Sequence, residues 1–111
     1  MVKENPYDVV WTEAAGEDFQ KIIDFIAQRN PERALELQSQ IKTRVHTLAH
    51  FPFRSRLVPE IALIGLNVYR EWIVVPYRVM FQIRGRRVII TGFFDGCRDL
   101  DEVFFERVTN P

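Results

Sequence analysis

The sequence predicts an α+β domain in which a hairpin of two helices packs on an antiparallel sheet. Two consecutive segments in the first half repeat apolar residues every three or four positions, which is typical of helices with one buried face. From Leu66 onward the pattern changes to runs rich in valine, isoleucine and aromatic residues, separated by tight turns. A chain of 111 residues suits one domain, so we expect a single domain over 1–111.

A short strand and two helices are predicted for the first part of the chain. Residues 7–11 have strand character, and Thr12 then suits the N-cap of a helix that ends near Arg29. Asn30 and Pro31 restart the helical pattern, which continues to about His50. The buried faces are predicted to hold Ala15, Phe19, Ile22, Ile23 and Ile26 in the first helix and Ala34, Leu37, Ile41, Val45 and Leu48 in the second. Because the joint is so short, the helices should be antiparallel.

The second half predicts strands that follow one another directly. The predicted elements are an irregular segment at 51–65, strands at 68–75, 77–84 and 87–94, and a short C-terminal helix at 100–108. Tight turns at Val75-Pro76 and at Gly85 make the three strands an antiparallel meander. The predicted order is therefore β-α-α-β-β-β-α.

Charge is distributed unevenly along a chain whose formal net charge is zero. Residues 1–36 carry a net −4, residues 37–98 a net +7 and residues 99–111 a net −3. A basic middle between acidic ends suits an anionic partner, and the alternative is a chance fluctuation of composition. A dedicated nucleic-acid-binding protein would be more basic overall.

The composition also indicates where the protein is located and whether it binds a metal or a cofactor. The single cysteine excludes an internal disulfide, no apolar run approaches the ~20 residues of a membrane span, and the N-terminus has no apolar signal region. We therefore expect a cytoplasmic protein without a membrane partner. His46 and His50 are four residues apart on a helix but have no third ligand nearby, and glycine-rich phosphate loops are absent, so we expect neither a metal nor a cofactor.

Six arginines lie between Tyr69 and Asp99, and five of them are the candidate functional residues. On the strand that begins at Tyr77, alternation places Arg78 on the face opposite the apolar residues, so Arg78 is predicted on an open face or at its margin. Arginines presented by a sheet suit the binding of an anion. The alternative is a structural ion pair with Glu71 on the neighbouring strand.

Three runs within this region resemble, in order and spacing, the signature of the RelE/ParE toxin superfamily. They are 70–83, Arg-Glu-Trp-Ile-Val-Val-Pro-Tyr-Arg-Val-Met-Phe-Gln-Ile; 87–90, Arg-Val-Ile-Ile; and 95–99, Asp-Gly-Cys-Arg-Asp. The family signature reads R-x-L-x-V-x-x-Y-R-V-x-Y-x-I, then V-x-I-L, then H-x-R-R-D. The resemblance implies a RelE/ParE-like fold and the toxin half of a type II toxin–antitoxin module, as in plasmid stabilisation systems.

The superfamily contains two kinds of toxin, and the resemblance separates them by their catalytic groups. RelE-like members are ribosome-dependent mRNA endoribonucleases, and ParE-like members inhibit DNA gyrase. Arg78 and Arg98 align with arginines that the nucleases use for the phosphate. Asp95, however, stands where some nucleases have a histidine, and Phe104 where RelE has a tyrosine. An aspartate acts as a base only if its pKa is raised, and phenylalanine transfers no proton.

The resemblance therefore favours a ParE-like gyrase inhibitor that is not an enzyme and that a cognate antitoxin neutralises. A RelE-like nuclease acting on the ribosome and mRNA is the alternative, with Arg78, Arg98 and Asp95 as its catalytic residues, and a repurposed, non-toxic member is the second alternative. A homo-oligomer and a toxin–antitoxin heteromer are both compatible with the sequence. The candidate binding residues are Arg70, Arg78, Arg98, Arg84 and Arg87.

Overall fold

The computed structural model describes residues 6–96 and 101–111. Its elements are β1 (Asp8–Trp11), α1 (Glu13–Ala27), α2 (Pro31–His50), a 3₁₀ turn (Pro52–Arg54), β2 (Arg56–Leu57), α3 (Pro59–Ala62), β3 (Tyr69–Val74), β4 (Tyr77–Arg84), β5 (Arg87–Asp95) and α4 (Asp101–Thr109). The predicted α+β class and the predicted order of the major elements are confirmed. No helix in the described ranges has the length and apolar character needed to cross a membrane.

Side-chain caps begin both long helices where the sequence predicts. The Thr12 hydroxyl accepts a hydrogen bond from the backbone N–H of Ala15 at 3.1 Å, and the Asn30 side chain accepts one from that of Arg33 at 3.1 Å. Each bond satisfies a donor that has no partner within its helix. Pro31 occupies the first turn of α2, where its missing N–H costs nothing.

Over residues 6–96 the sheet has five strands in the order β1-β5-β4-β3-β2. β3, β4 and β5 form the predicted antiparallel meander, and β2 adds antiparallel to β3. β1 pairs in parallel with β5, from Asp8 opposite Arg87 to Trp11 opposite Ile90, a direction that the predicted antiparallel meander of β3, β4 and β5 does not specify. A four-residue strand carries no local signal of its direction; that depends on which edge of the meander it meets.

A β-bulge at Thr91 lets β5 contribute to two cores. Phe81 pairs with Ile90 but Met80 pairs with Gly92, which leaves Thr91 as the extra residue. The bulge reverses the alternation of side chains, so Ile90 and Phe93 face one layer. Phe94 faces the other layer. The first layer is the main core between the sheet and the helical hairpin.

The second face of the sheet is covered, not open. Its small core contains Val58, Ile61, Tyr69, Met80, Phe94 and Phe104, contributed by the 51–65 segment, the sheet and α4. The prediction of an irregular 51–65 segment is wrong, because this segment holds the 3₁₀ turn, β2 and α3. Elements of two to four residues are too short to show a period, so the sequence pattern does not reveal them.

An ion pair between α1 and α4 covers the part of β5 that extends beyond β1. The N–H of Phe93 donates to Oδ2 of Asp18 at 3.0 Å, and Nη1 of Arg107 donates to the carbonyl oxygen of Thr91 at 2.8 Å. Nη1 and Nη2 of Arg107 also bind the two oxygens of Asp18, at 2.6 and 3.0 Å. The pair satisfies edge groups that would otherwise lack a strand partner.

Replacing Asp18 by alanine is therefore expected to expose this edge. The change removes the acceptor of the Phe93 N–H and leaves the Arg107 guanidinium with the Thr91 carbonyl oxygen alone, and we expect a loss of about 1–3 kcal/mol in the free energy of unfolding. Hydrogen exchange should become faster at the Phe93 amide, with the amides of β4 as the internal reference. Unchanged exchange at Phe93 would contradict the role of Asp18 at this edge.

Candidate functional site

Four charged side chains form a continuous chain of contacts across the second face of the sheet. Arg56 on β2 donates from Nε to Oε2 of Glu71 on β3 at 2.6 Å, and Arg78 on β4 donates from Nε to Oε1 of Glu71 at 2.7 Å. The other end of the Arg78 guanidinium binds Glu60 of α3 through two parallel hydrogen bonds of 2.5 and 2.7 Å. We call these four residues the charge network.

The two central members of the charge network are buried, and burial strengthens the electrostatic interaction between them. The Glu71 side chain is 0% exposed and the Arg78 side chain 12% exposed. The Arg78 guanidinium carbon also lies 4.8 Å from the centroid of the buried Phe104 ring. Hydrogen bonding from Arg78 lowers the pKa of Glu60, and the same bond raises the pKa of Arg78. Glu60 and Arg78 are therefore ionised at neutral pH, and the formal charges of the four groups sum to zero.

The charge network leaves Arg78 little capacity to bind a ligand. Its Nε, Nη1 and Nη2 each donate to a carboxylate of Glu60 or Glu71. A phosphate would have to displace one of these carboxylates and leave it unpaired in a poorly solvated position. The prediction of an open face around Arg78 is wrong, and the alternative of an ion pair with Glu71 is confirmed.

The lowered pKa of Glu60 predicts a specific response to acid. Because this pKa is lower in the folded chain than its ordinary value of 4.5, Glu60 stabilises the fold above that pH, and the stabilisation is lost as the pH falls through the folded-state pKa. We expect wild-type protein to lose more stability than Glu60→Gln between about pH 7 and about pH 3. Urea unfolding at each pH measures this, with the exposed-site variant Glu36→Gln as control. Parallel pH profiles for wild type and Glu60→Gln would exclude the effect.

Asp95 lies on the opposite face of the sheet from the Arg78 guanidinium. It borders a cavity of about 330 Å³ beside α1, together with Tyr77 and Phe93. Burial, and then the nearby charge of Asp95, raises the pKa of Tyr77. The sheet therefore separates Arg78 from Asp95, although their strands are adjacent.

The other candidate arginines are dispersed. Arg84 and Arg87 lie at the β4–β5 hairpin, where Gly85 adopts the positive φ of 57° that the turn requires. Arg70 donates from Nη1 to the carbonyl oxygen of Ser55 at 2.7 Å. Arg98 lies outside the described residues.

Two functional features had not been predicted from the sequence: Glu60, which completes the charge network, and the pair of Asp18 and Arg107. One signal for Glu60 was available, since it follows a proline and is one of three acidic residues among the 62 residues from 37 to 98. Nothing local indicates the other pair, whose members are 89 positions apart. The described residues contain no group of three or more histidine, cysteine, aspartate or glutamate side chains arranged to hold a metal.

An apolar groove lies beside the free edge of β1. Trp11, Phe19, Ile41 and Val45 border it with two polar residues of α2, and its volume is about 320 Å³. Trp11 packs on Phe19 with ring centroids 5.4 Å apart. The groove thus joins a strand edge to the face of the helical hairpin.

Comparison with known proteins identifies the family. The family model for the ParE toxin of the type II toxin–antitoxin system parDE matches residues 9–100. The chain belongs to the RelE/ParE toxin superfamily. Toxin RelE2 of Caulobacter vibrioides is a relative in this superfamily, 37% identical over 68 residues, which are 61% of this chain and 69% of RelE2.

Two solved structures share this RelE/ParE fold. One is the chromosomal ParDE toxin–antitoxin system from P. aeruginosa, with a TM-score of 0.65 and 20% identity, covering 83% of this chain and 98% of that one. The other is the toxin–antitoxin complex RelBE2 from Mycobacterium tuberculosis, with a TM-score of 0.58 and 19% identity, covering 84% of this chain and 94% of that one. These likenesses confirm the predicted fold and include both branches of the superfamily.

Proposed function

We propose that this protein is the toxin of a type II toxin–antitoxin pair, acts on DNA gyrase rather than on RNA, and is neutralised by a cognate antitoxin. The proposal rests on one observation, the hydrogen bonds that Arg78 makes within the protein. Its guanidinium is held by Glu60 and Glu71, so the arginine at the position of a nuclease phosphate ligand has a structural role. The match to the ParE family model supports the same branch.

The described residues around Arg78 also offer no well-placed acid or base for proton transfer. Cleavage of RNA by its 2′-hydroxyl needs a base, an acid and cations around one phosphate. Asp95 faces away from Arg78, and Phe104 is a buried ring without a titratable group. These features favour inhibition by protein binding over catalysis.

The groove beside β1 suits an antitoxin segment. An exposed strand edge offers backbone hydrogen bonds, and an adjacent apolar groove offers burial for the side chains of a helix or strand. Titration calorimetry with the protein encoded by the neighbouring reading frame tests this, and Trp11→Ala should weaken binding because it removes a partly exposed ring that borders the groove. A lack of tight binding to wild-type protein would refute the antitoxin assignment.

The target is tested by adding purified protein to a gyrase supercoiling assay. We expect supercoiling to be inhibited and cleaved DNA–gyrase complexes to accumulate, with antitoxin restoring activity. Expression without antitoxin should arrest growth. Undiminished supercoiling alongside growth arrest would argue against gyrase as the target.

A ribosome-dependent nuclease is the second candidate, favoured by the 37% identity to Toxin RelE2. Translating ribosomes with a defined mRNA would then yield cuts in the A site, and Arg98→Ala would abolish them. Arg29→Ala, a change on the far end of the helical hairpin, is the matched control. Activity in neither assay and no growth arrest would indicate a non-toxic member.

A further inference from the structure

A basic and aromatic surface lies where the start of β1, the end of α2 and the β4–β5 hairpin meet. Its cavity of about 540 Å³ is lined by Tyr7, His50, Phe51, Pro52, Phe53, Arg54 and Arg86. Phe51 is 47% exposed and Phe53 is 61% exposed, which is unusual for large apolar rings this close together. We call these seven residues the basic aromatic surface.

Three arginines are held against its rings. The guanidinium carbon of Arg54 lies 4.2 Å from the Phe51 centroid, and that of Arg86 lies 4.1 Å from the Tyr7 centroid. Arg70 extends the surface, with its guanidinium carbon 5.2 Å from the Phe53 centroid. Contacts of this kind restrict the arginine side chains and so reduce the entropy lost when they bind an anion.

Within the described part of the chain, the lining of this surface contains cations but no carboxylate. Among the described residues, neither Arg54 nor Arg70 forms an ion pair. Two of the three acidic residues in the basic middle of the chain are Glu60 and Glu71, and the charge network engages both. Glu60 and Glu71 therefore do not neutralise Arg54 and Arg70, which keep their positive charge at this surface.

We propose that the basic aromatic surface binds an acidic peptide segment that also carries a large apolar side chain. Carboxylates of the segment pair with Arg54 and Arg70, while its apolar side chain packs on Phe51 and Phe53. The planar guanidinium groups suit carboxylates, and the exposed rings gain burial that an all-acidic segment would not provide. The inference goes beyond the proposed function, because it does not depend on which protein carries the segment.

Single-stranded nucleic acid is the competing anion, and the rings argue against it. Bases bind such surfaces by stacking on open aromatic faces. Here Tyr7, Phe51 and Phe53 each carry a guanidinium group over a face. Tyr7 and Phe53 also contact each other edge to face, with centroids 6.5 Å apart. The stacking positions are thus partly occupied, whereas the guanidinium edges remain suited to carboxylates.

Fluorescence anisotropy with three labelled probes tests the proposal at physiological ionic strength. The probes are a peptide of alternating glutamate and leucine, a peptide of alternating glutamate and glycine with the same charge, and an oligothymidylate of the same length. We expect the glutamate–leucine peptide to bind most tightly to the full chain. Arg54→Ala and Phe53→Ala should each weaken that binding roughly tenfold.

Arg29→Ala is the matched control, because Arg29 also lies over an exposed ring, that of Phe25 at 5.1 Å, but outside the surface. It should change the affinity less than about twofold. Circular dichroism establishes that all variants are folded, and the exposed positions of Phe53 and Arg54 make this the expected result. Absent peptide binding, equal weakening by Arg29→Ala, or tighter oligothymidylate binding that Arg54→Ala removes would each overturn the proposal.

Discussion

Replacing Glu71 by alanine is expected to lower the free energy of unfolding by about 3–5 kcal/mol, the range for breaking a buried ion pair from one side. Glu71 is fully buried between Arg56 and Arg78, and its removal leaves Arg78 with the Glu60 carboxylate alone. Urea unfolding followed by circular dichroism measures the change. Glu36→Ala, in the exposed pair with Arg33, is the control and should cost less than about 1 kcal/mol.

Arg78 is expected to be as important for stability as Glu71, because it pairs with both carboxylates of the charge network. Arg78→Ala should destabilise the fold by a similar amount, because it leaves two carboxylates without their shared cation. A loss of toxicity in this variant would therefore reflect unfolding unless the folded fraction is measured first. If Glu71→Ala and Glu36→Ala proved equally stable, the charge network would have no structural role, and Arg78 would again be a candidate ligand-binding residue.

Replacing Phe104 by alanine is expected to cost about 3–5 kcal/mol, as for other fully buried phenylalanines. The Phe104 side chain is 1% exposed, and its ring meets that of Phe94 edge to face at 4.8 Å. It also holds α4 against the sheet and lies under Arg78. Thermal and urea unfolding measure the loss.

Phe105 is the matched control for this prediction, since it is the adjacent residue on α4 but is 59% exposed. Phe105→Ala should change stability by less than about 1 kcal/mol. Similar losses for both variants would contradict the second core. Phe104→Tyr should also destabilise, because its hydroxyl enters an apolar layer, and it should not create RNA cleavage.

Helix boundaries and the meander were predictable because their signals are local. Thr12 and Asn30 cap helices through bonds that span three residues, and tight turns at Pro76 and Gly85 leave consecutive strands little choice but to pair. The parallel pairing of β1, the bulge at Thr91 and the short helix α3 were not predictable, because each depends on distant partners.

The candidate site likewise combines features that the sequence indicated with features that depend on distant partners. The sequence placed Arg78 on a strand, on the face opposite Phe81, and offered Glu71 as a partner, and all three statements hold. It did not show that α3 and α4 would cover this face, or that Glu60 would hold the remaining guanidinium nitrogens. The expectation of an open anion-binding face was wrong for that reason.

The sequence by itself determined the fold class, both long helices, the meander and membership of the superfamily, because periodicity, caps and the spacing of motifs are properties of short stretches. Only the tertiary structure decided which charges meet. Opposite charges brought together away from water interact far more strongly than they do along an extended chain. The contacts of Arg78 with Glu60 and Glu71 therefore arise from packing. Because of them, a residue predicted to bind an external anion stabilises the fold instead.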